Sequence, residues 1–200
     1  MKTRQRKTKD PCQICFMHKD LCFCSQIPSL TLKTRISLVV HYKELKRTSN
    51  TGRLAITALK NSEMIIRGRE QEERSDLSTL LSDHYQTILL YPSGDAALLD
   101  ESFLKNVKKP IHLIVPDGNW RQAGKVNVRH PELKDVVRVK LKPQTAAKEF
   151  LRKEHIEGGM ATLEAIAMAI GVLEGTEAEA KLMNLYQLKL QQTLIARGQK

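Results

Sequence analysis

The sequence predicts an α/β fold: a mostly parallel sheet with helices on both faces, preceded by a small zinc-binding segment. Three observations carry this. Five short runs rich in β-branched residues and leucine recur along the chain: RISLVVH (35–41), MII (64–66), QTILLY (86–91), IHLIV (111–115) and VVRVKL (136–141). Stretches with helical spacing separate them, the alternation expected of βαβ units. Several runs are apolar at successive positions, as in strands covered on both faces. Finally, all four cysteines fall between residues 12 and 24.

Taken in order, the first nine residues carry five Lys/Arg, and residues 1–11 are expected to form a flexible basic tail. Residues 12–30 form the expected zinc-binding segment and 31–200 the main α/β domain. Within it, helices are expected from Thr51 to Leu59, Asp76 to Leu81, Ala96 to Val107, Trp120 to Arg129 and Ala146 to Lys153. Two helices close the chain. In ATLEAIAMAIGVLEG, Leu163, Ile166, Ile170 and Leu173 share one face, and this helix should be buried. The last, from about Glu177, carries Leu182, Leu185 and Tyr186 before a polar end.

The cysteines are spaced C-x2-C-x6-C-x-C, as Cys12, Cys15, Cys22 and Cys24. Four thiolates so close in sequence can surround one tetrahedral zinc, and short spacers force the turns that aim sulfur inward. His18 lies in the spacer as a further potential ligand, and a redox pair is the competing reading. A site with four protein ligands has no open position for water, so its role is structural and the chemistry lies elsewhere.

In an open parallel sheet, ligands bind beyond the carboxyl ends of the strands. Two such loops stand out: Tyr91-Pro92-Ser93-Gly94 after the third run, and PDGNW (116–120), which holds the only tryptophan, after the fourth. A third glycine feature, EGGMATLEA, lets the backbone near Met160 and Thr162 approach a ligand at a helix start. Each has a simpler reading. Asp117 can be the cap of the next helix, Trp120 a core anchor and the paired glycines a hinge. KRTSNTGRLA (46–55) offers a polar helix start suited to an anion, or equally Ser49 or Asn50 as a cap with Arg53 in solvent. No G-x-G-x-x-G, P-loop, H-E-x-x-H or G-x-S-x-G pattern occurs.

The formal net charge of +11 is unevenly spread. Residues 31–60 carry seven Lys/Arg against one acid, and 121–153 carry ten against three, the footprint of a polyanion-binding face. No run approaches a membrane span and the N-terminus lacks an apolar signal core, so a cytoplasmic protein with reduced cysteines is expected.

Together these motifs resemble the DTW-domain family, whose members are similar in fold to the knotted SPOUT methyltransferases of RNA. The family signature is Asp-x-Thr-Trp, and this chain reads Asp117-Gly118-Asn119-Trp120. The cysteine pattern, SNTGRLA (49–55), LYPS (90–93) and the TLEA helix start (162–165) follow in the family's order, so the resemblance spans roughly residues 12–175. Asn119 stands where the family usually has Thr.

The resemblance implies a C-terminal trefoil knot and a transferase acting on tRNA. Such an enzyme moves the 3-amino-3-carboxypropyl group of S-adenosylmethionine to N3 of a uridine, releasing 5′-methylthioadenosine. It implies Tyr91, Pro92, Ser93, Gly94, Leu141, Met160 and Thr162 around that substrate. Asp117 becomes the candidate proton acceptor, with Asn119 and Trp120 beside it and Trp120 walling the pocket or stacking on an extruded base. Arg53, Arg121, Lys125 and Arg129 become expected contacts to tRNA phosphates. No obligate protein partner is expected. An S-adenosylmethionine-dependent RNA methyltransferase and a non-catalytic zinc-containing RNA-binding protein are the competing readings.

Overall fold

The computed structural model describes residues 10–69, 75–142 and 160–198. Six parallel strands form one sheet: β1 Arg35–His41, β2 Ser62–Arg67, β3 Gln86–Leu90, β4 Ala97–Leu98, β5 Ile111–Asp117 and β6 Val137–Lys140. Their spatial order is β2-β1-β5-β3-β6-β4. The helices are α1 Gly52–Ala58, α2 Glu101–Leu104, α3 Trp120–Arg129, α4 Thr162–Glu174 and α5 Thr176–Ala196.

The continuous apolar runs are the central strands, and their alternate residues feed two cores. Ile36, Leu38, Ile88, Leu113 and Val115 face one side, where they meet Leu54 of α1, Leu163, Ile166 and Ile170 of α4, and Leu182 and Leu185 of α5. Val39, Leu89 and Ile114 face the other, against Val126 of α3 and Leu133. That period of two across a doubly covered sheet explains why the central strands β1 and β5 are buried at successive positions. Each such fully buried side chain contributes on the order of 1.5–3 kcal/mol by area removed from water.

His112, polar within an apolar run, is fully buried but satisfied. Nδ1 lies 2.9 Å from the Leu80 carbonyl oxygen and Nε2 lies 2.7 Å from Ser37 Oγ, which in turn reaches Glu63. Burial, then the nearby Arg35 charge, holds its imidazole below the ordinary range.

The sequence expectation differs from the structure in two helices. The one expected from Ala96 opens instead with β4, which pairs with β6, and turns helical only after Asp100. Asp100 is the reason: its carboxylate accepts from the Phe103 amide (3.0 Å) and Ser102 Oγ (2.6 Å), fixing a helix start there. The one expected from Asp76 is a single 3-10 turn, Ser78–Leu80. Here Asp76 accepts from both the amide and hydroxyl of Ser78, a local turn that competes with helix. The helix expected at 146–153 lies outside the described residues. So do residues 143–159, which the expected knot would involve, and residues 1–9 of the expected basic tail.

The first closing helix, α4, is buried as expected, and α5 packs into the same core through Leu182, Leu185 and Tyr186. They fold back on one another at Gly175, whose φ of 102° lies in the left-handed region.

On the opposite face of the sheet, beside Leu77 and Leu133, Glu132 accepts from the Leu77 amide (3.1 Å) and lies 2.9 Å from His130 Nδ1. Burial alone would raise its carboxyl. The amides of Glu132 itself and Leu77, with His130, outweigh that and hold it at about 2. A carboxylate depressed from the ordinary 4.5 contributes stability that is present above that value and lost as pH falls toward 2. The melting temperature is therefore expected to drop between pH 4.5 and 2, and to drop less in Glu132→Gln; equal pH profiles would remove Glu132 as the cause.

Candidate active site

Asp117 ends β5 and pairs in register with Val40 of β1. The chain leaves β1 toward one side of the sheet, to β2, and leaves β5 toward the other, to β6. The carboxyl ends of β1 and β5 therefore form the topological switch point, the crevice where open α/β sheets bind ligands.

The Asp117 side chain is buried, at 5% exposure, and both its oxygens accept hydrogen bonds. Asn50 Nδ2 donates to Oδ2 and Thr162 Oγ1 donates to Oδ1, each at 2.5 Å. Asn50 Oδ1 meanwhile accepts from the Arg53 amide at 3.3 Å, so it steadies the start of α1 as well. Thr51 Oγ1 accepts from the Leu163 amide (3.1 Å), capping α4 from another element. Ala161 has no acceptor to do this. Three chain segments are thus stitched together around one carboxylate. The anion met by the polar 46–55 stretch is the protein's own Asp117.

Gly52 completes the packing. A Cβ there would lie 3.1 Å from Asp117 Oδ2 and 2.9 Å from Leu38 Cδ2, so only glycine lets α1 come this close.

Asp117 is not the helix cap. Asn119 is: its Oδ1 accepts from the Gln122 amide (2.9 Å) while Gln122 Oε1 accepts from the Asn119 amide (2.8 Å), a reciprocal capping box. Threonine and asparagine are both good N-caps, so asparagine at 119 preserves that role. Trp120 is no core anchor. It is 37% exposed at the first position of α3.

The other sequence-derived residues gather at this edge. Tyr91 follows β3, with its amide on the Val139 carbonyl of β6 (2.9 Å) and its hydroxyl against Gly124 of α3. Pro92, Ser93 and Gly94 continue that loop, and Leu141 follows β6. Met160 precedes α4, and Thr162 opens it on Asp117 itself. Arg121, Lys125 and Arg129 recur every four residues on α3 and are exposed. Arg53 lies elsewhere: its guanidinium sits 3.8 Å over the Phe16 ring and donates to the Gln13 carbonyl (3.3 Å), in the cysteine segment.

Arg67, at the end of β2, was not apparent from sequence. It is buried at 6% exposure and donates to the Gln122 carbonyl in the first turn of α3. His41 of β1 is its register partner. Burial, then Arg67 and Lys43, hold the His41 imidazole below its ordinary range. Its place at a strand end facing the switch point is the signal that would have found it.

The four cysteines converge as the spacing predicts, with their Sγ atoms within 4.8 Å of one another. Cys12 to Cys24 is 3.4 Å and Cys15 to Cys22 is 3.7 Å. Sulfurs about 2.3 Å from a tetrahedral zinc would be roughly 3.8 Å apart, so the donor set fits that ion. The amides of Cys15 and Ile14 hold the Cys12 thiol down at about 6, while burial pushes those of Cys15 and Cys24 up. His18 turns away from the sulfurs, accepting from the Asp20 amide at 3.3 Å.

The DTW domain model matches residues 9–194, nearly the whole chain. The chain belongs to the DTW domain family. This DTW-domain chain is 27% identical over 173 residues to tRNA-uridine aminocarboxypropyltransferase 2 of Macaca fascicularis, covering 84% of this chain and 58% of that protein. It is 28% identical over 172 residues to the Drosophila melanogaster protein of that name, covering 83% and 67%. The Mus musculus protein is 27% identical over 168 residues, 82% and 56%. The chain thus spans 56% to 67% of the length of these DTW-family relatives. No solved structure matches it. No helix of the described residues is long and apolar enough to cross a membrane.

Proposed function

We propose that this DTW-domain chain transfers the 3-amino-3-carboxypropyl group of S-adenosylmethionine to N3 of a uridine in tRNA. The observation that carries the reading is the buried Asp117 carboxylate, oriented by Asn50 and Thr162 at the switch point of the sheet. The names of its relatives supply the reaction.

The reaction balances simply. A bond forms between uridine N3 and the γ-carbon of the aminocarboxypropyl group, the carbon–sulfur bond breaks with its electron pair going to sulfur, and the N3 proton is released. Methylthioadenosine leaves. A sulfonium has three carbons open to attack, so the choice of group is made by which carbon is held in line with the nucleophile.

Asp117 takes or polarises the N3 proton as the new bond forms, a role that needs a carboxylate within hydrogen-bond reach of the base. Its two fixed donors remove the cost of reorienting it during the reaction. The exposed Trp120 ring, three residues on, offers a stacking face for a base drawn out of its helix. Tyr91, Pro92, Ser93, Gly94, Leu141, Met160 and Thr162 would line the adenosyl side. Arg121, Lys125 and Arg129 would contact the tRNA backbone without reading its sequence. The tetrathiolate centre would hold one zinc and shape the N-terminal segment. This chemistry fits a cytoplasmic enzyme.

The decisive measurement incubates the protein with unmodified tRNA and S-adenosylmethionine and identifies the nucleoside product. Methylthioadenosine, formed only with tRNA, is the expected outcome. S-adenosylhomocysteine would make the protein a methyltransferase instead, and RNA binding with neither product would make it a binding protein.

A further inference from the structure

We propose that Lys189 of α5 is the counter-charge of the tetrathiolate metal centre, so that the last helix and the metal hold one another in place. Lys189 is 1% exposed and lies on the stripe of α5 that also buries Leu182, Leu185 and Tyr186. Its ammonium reaches across 174 residues of sequence into the cysteine segment. There it donates to the Cys15 carbonyl (2.8 Å) and contacts Met17 Sδ (3.1 Å). Thr193, one turn on, also points at Met17 Sδ, at 3.9 Å.

A buried ammonium with no opposite charge is strongly disfavoured. Among the described residues, the charged groups that act most on Lys189 are the thiols of Cys15 and Cys24 and the guanidinium groups of Arg53 and Arg197. The negative charge in this set is that of the Cys15 and Cys24 sulfurs. Four cysteinates around a divalent ion leave a net charge of minus two. Lys189 supplies one compensating charge.

Arg53 supplies the second, from α1. It stacks 3.8 Å over Phe16, whose φ of 56° places it in the left-handed region within the C-x2-C turn. One cation from each of two core helices thus reaches the segment. Outer-shell partners of this kind tune metal affinity as the ligands themselves do. The inference depends on the cysteines holding metal and is independent of the transferase reading.

The test uses the full chain and zinc, with affinity read by competition against a chromophoric chelator. Wild-type metal content comes first: none would remove the centre and the proposal with it. Given about one zinc per chain, Lys189→Met is expected to weaken zinc binding about 10–100-fold, while Lys189→Arg stays within about threefold. The melting temperature should fall for the zinc-loaded Met variant but hold or rise for its metal-free form, because an uncompensated buried charge has been removed. Unchanged affinity, or an equal loss of stability in both forms, would make Lys189 a packing residue and overturn the counter-charge. Should the Met variant not fold, Lys189→Gln, uncharged but still able to donate to the Cys15 carbonyl, carries the same comparison.

Discussion

Asp117→Asn is expected to lower turnover by at least about a hundredfold, the scale of losing a positioned general base, while tRNA affinity stays within about twofold. The fold should tolerate the change. The introduced amide can turn its oxygen to Asn50 Nδ2 and its NH2 to Thr162 Oγ1, which can accept as well as donate, so both neighbours keep a partner. What disappears is the charge and the capacity to take a proton. A fall in turnover with unchanged tRNA binding marks an interaction made in the transition state alone. Single-turnover kinetics and a tRNA binding isotherm on one preparation separate the two. Near-normal turnover would reduce Asp117 to the anchor of three segments, a role the asparagine would still fill.

How much of this was legible in the sequence depended on the range of each signal. β1 and α3 are read at their full extent because the first is dense in Ile, Leu and Val and the second starts at a capping box. The two residues of β4 carry no period at all, and Ala96 to Leu99 reads as helix because alanine and leucine favour it. The strand exists only because β6 is beside it.

The same limit governs the site. Asp117 and Trp120 stand out at a strand mouth, but Asn50 and Thr162 meet Asp117 across 67 and 45 residues, which no local pattern records. Asn50 reads as a helix-start residue because its Oδ1 does accept from the Arg53 amide. Its second hydrogen bond, from the other end of the amide, depends on β1 and β5 being neighbours. Lys189 was legible in principle. Leu182, Leu185, Tyr186 and Lys189 follow the i, i+3, i+4, i+7 rule of a buried stripe, and a lysine in that register is where a buried charge should be sought.

Cys15→Ser is expected to abolish stoichiometric zinc binding and to lower the melting temperature by roughly 10 °C. A structural zinc site contributes an apparent 10–16 kcal/mol in isolated fingers. Even a third of that, at about 2–4 °C per kcal/mol for a chain of this size, reaches such a shift. The effect would spread beyond the segment because Cys15, Met17 and Phe23 belong to the same core as α1, α4 and α5. Cysteine burial itself could produce part of the loss, and Cys22 separates the two causes. It is exposed, so Cys22→Ser leaves no buried gap but removes a ligand just as surely. If metal is the cause, both variants fall together and a chelator reproduces the shift in the wild type. If only Cys15→Ser falls and the chelator does nothing, the sulfurs are core atoms, and the converging cysteines hold no metal that matters to the fold.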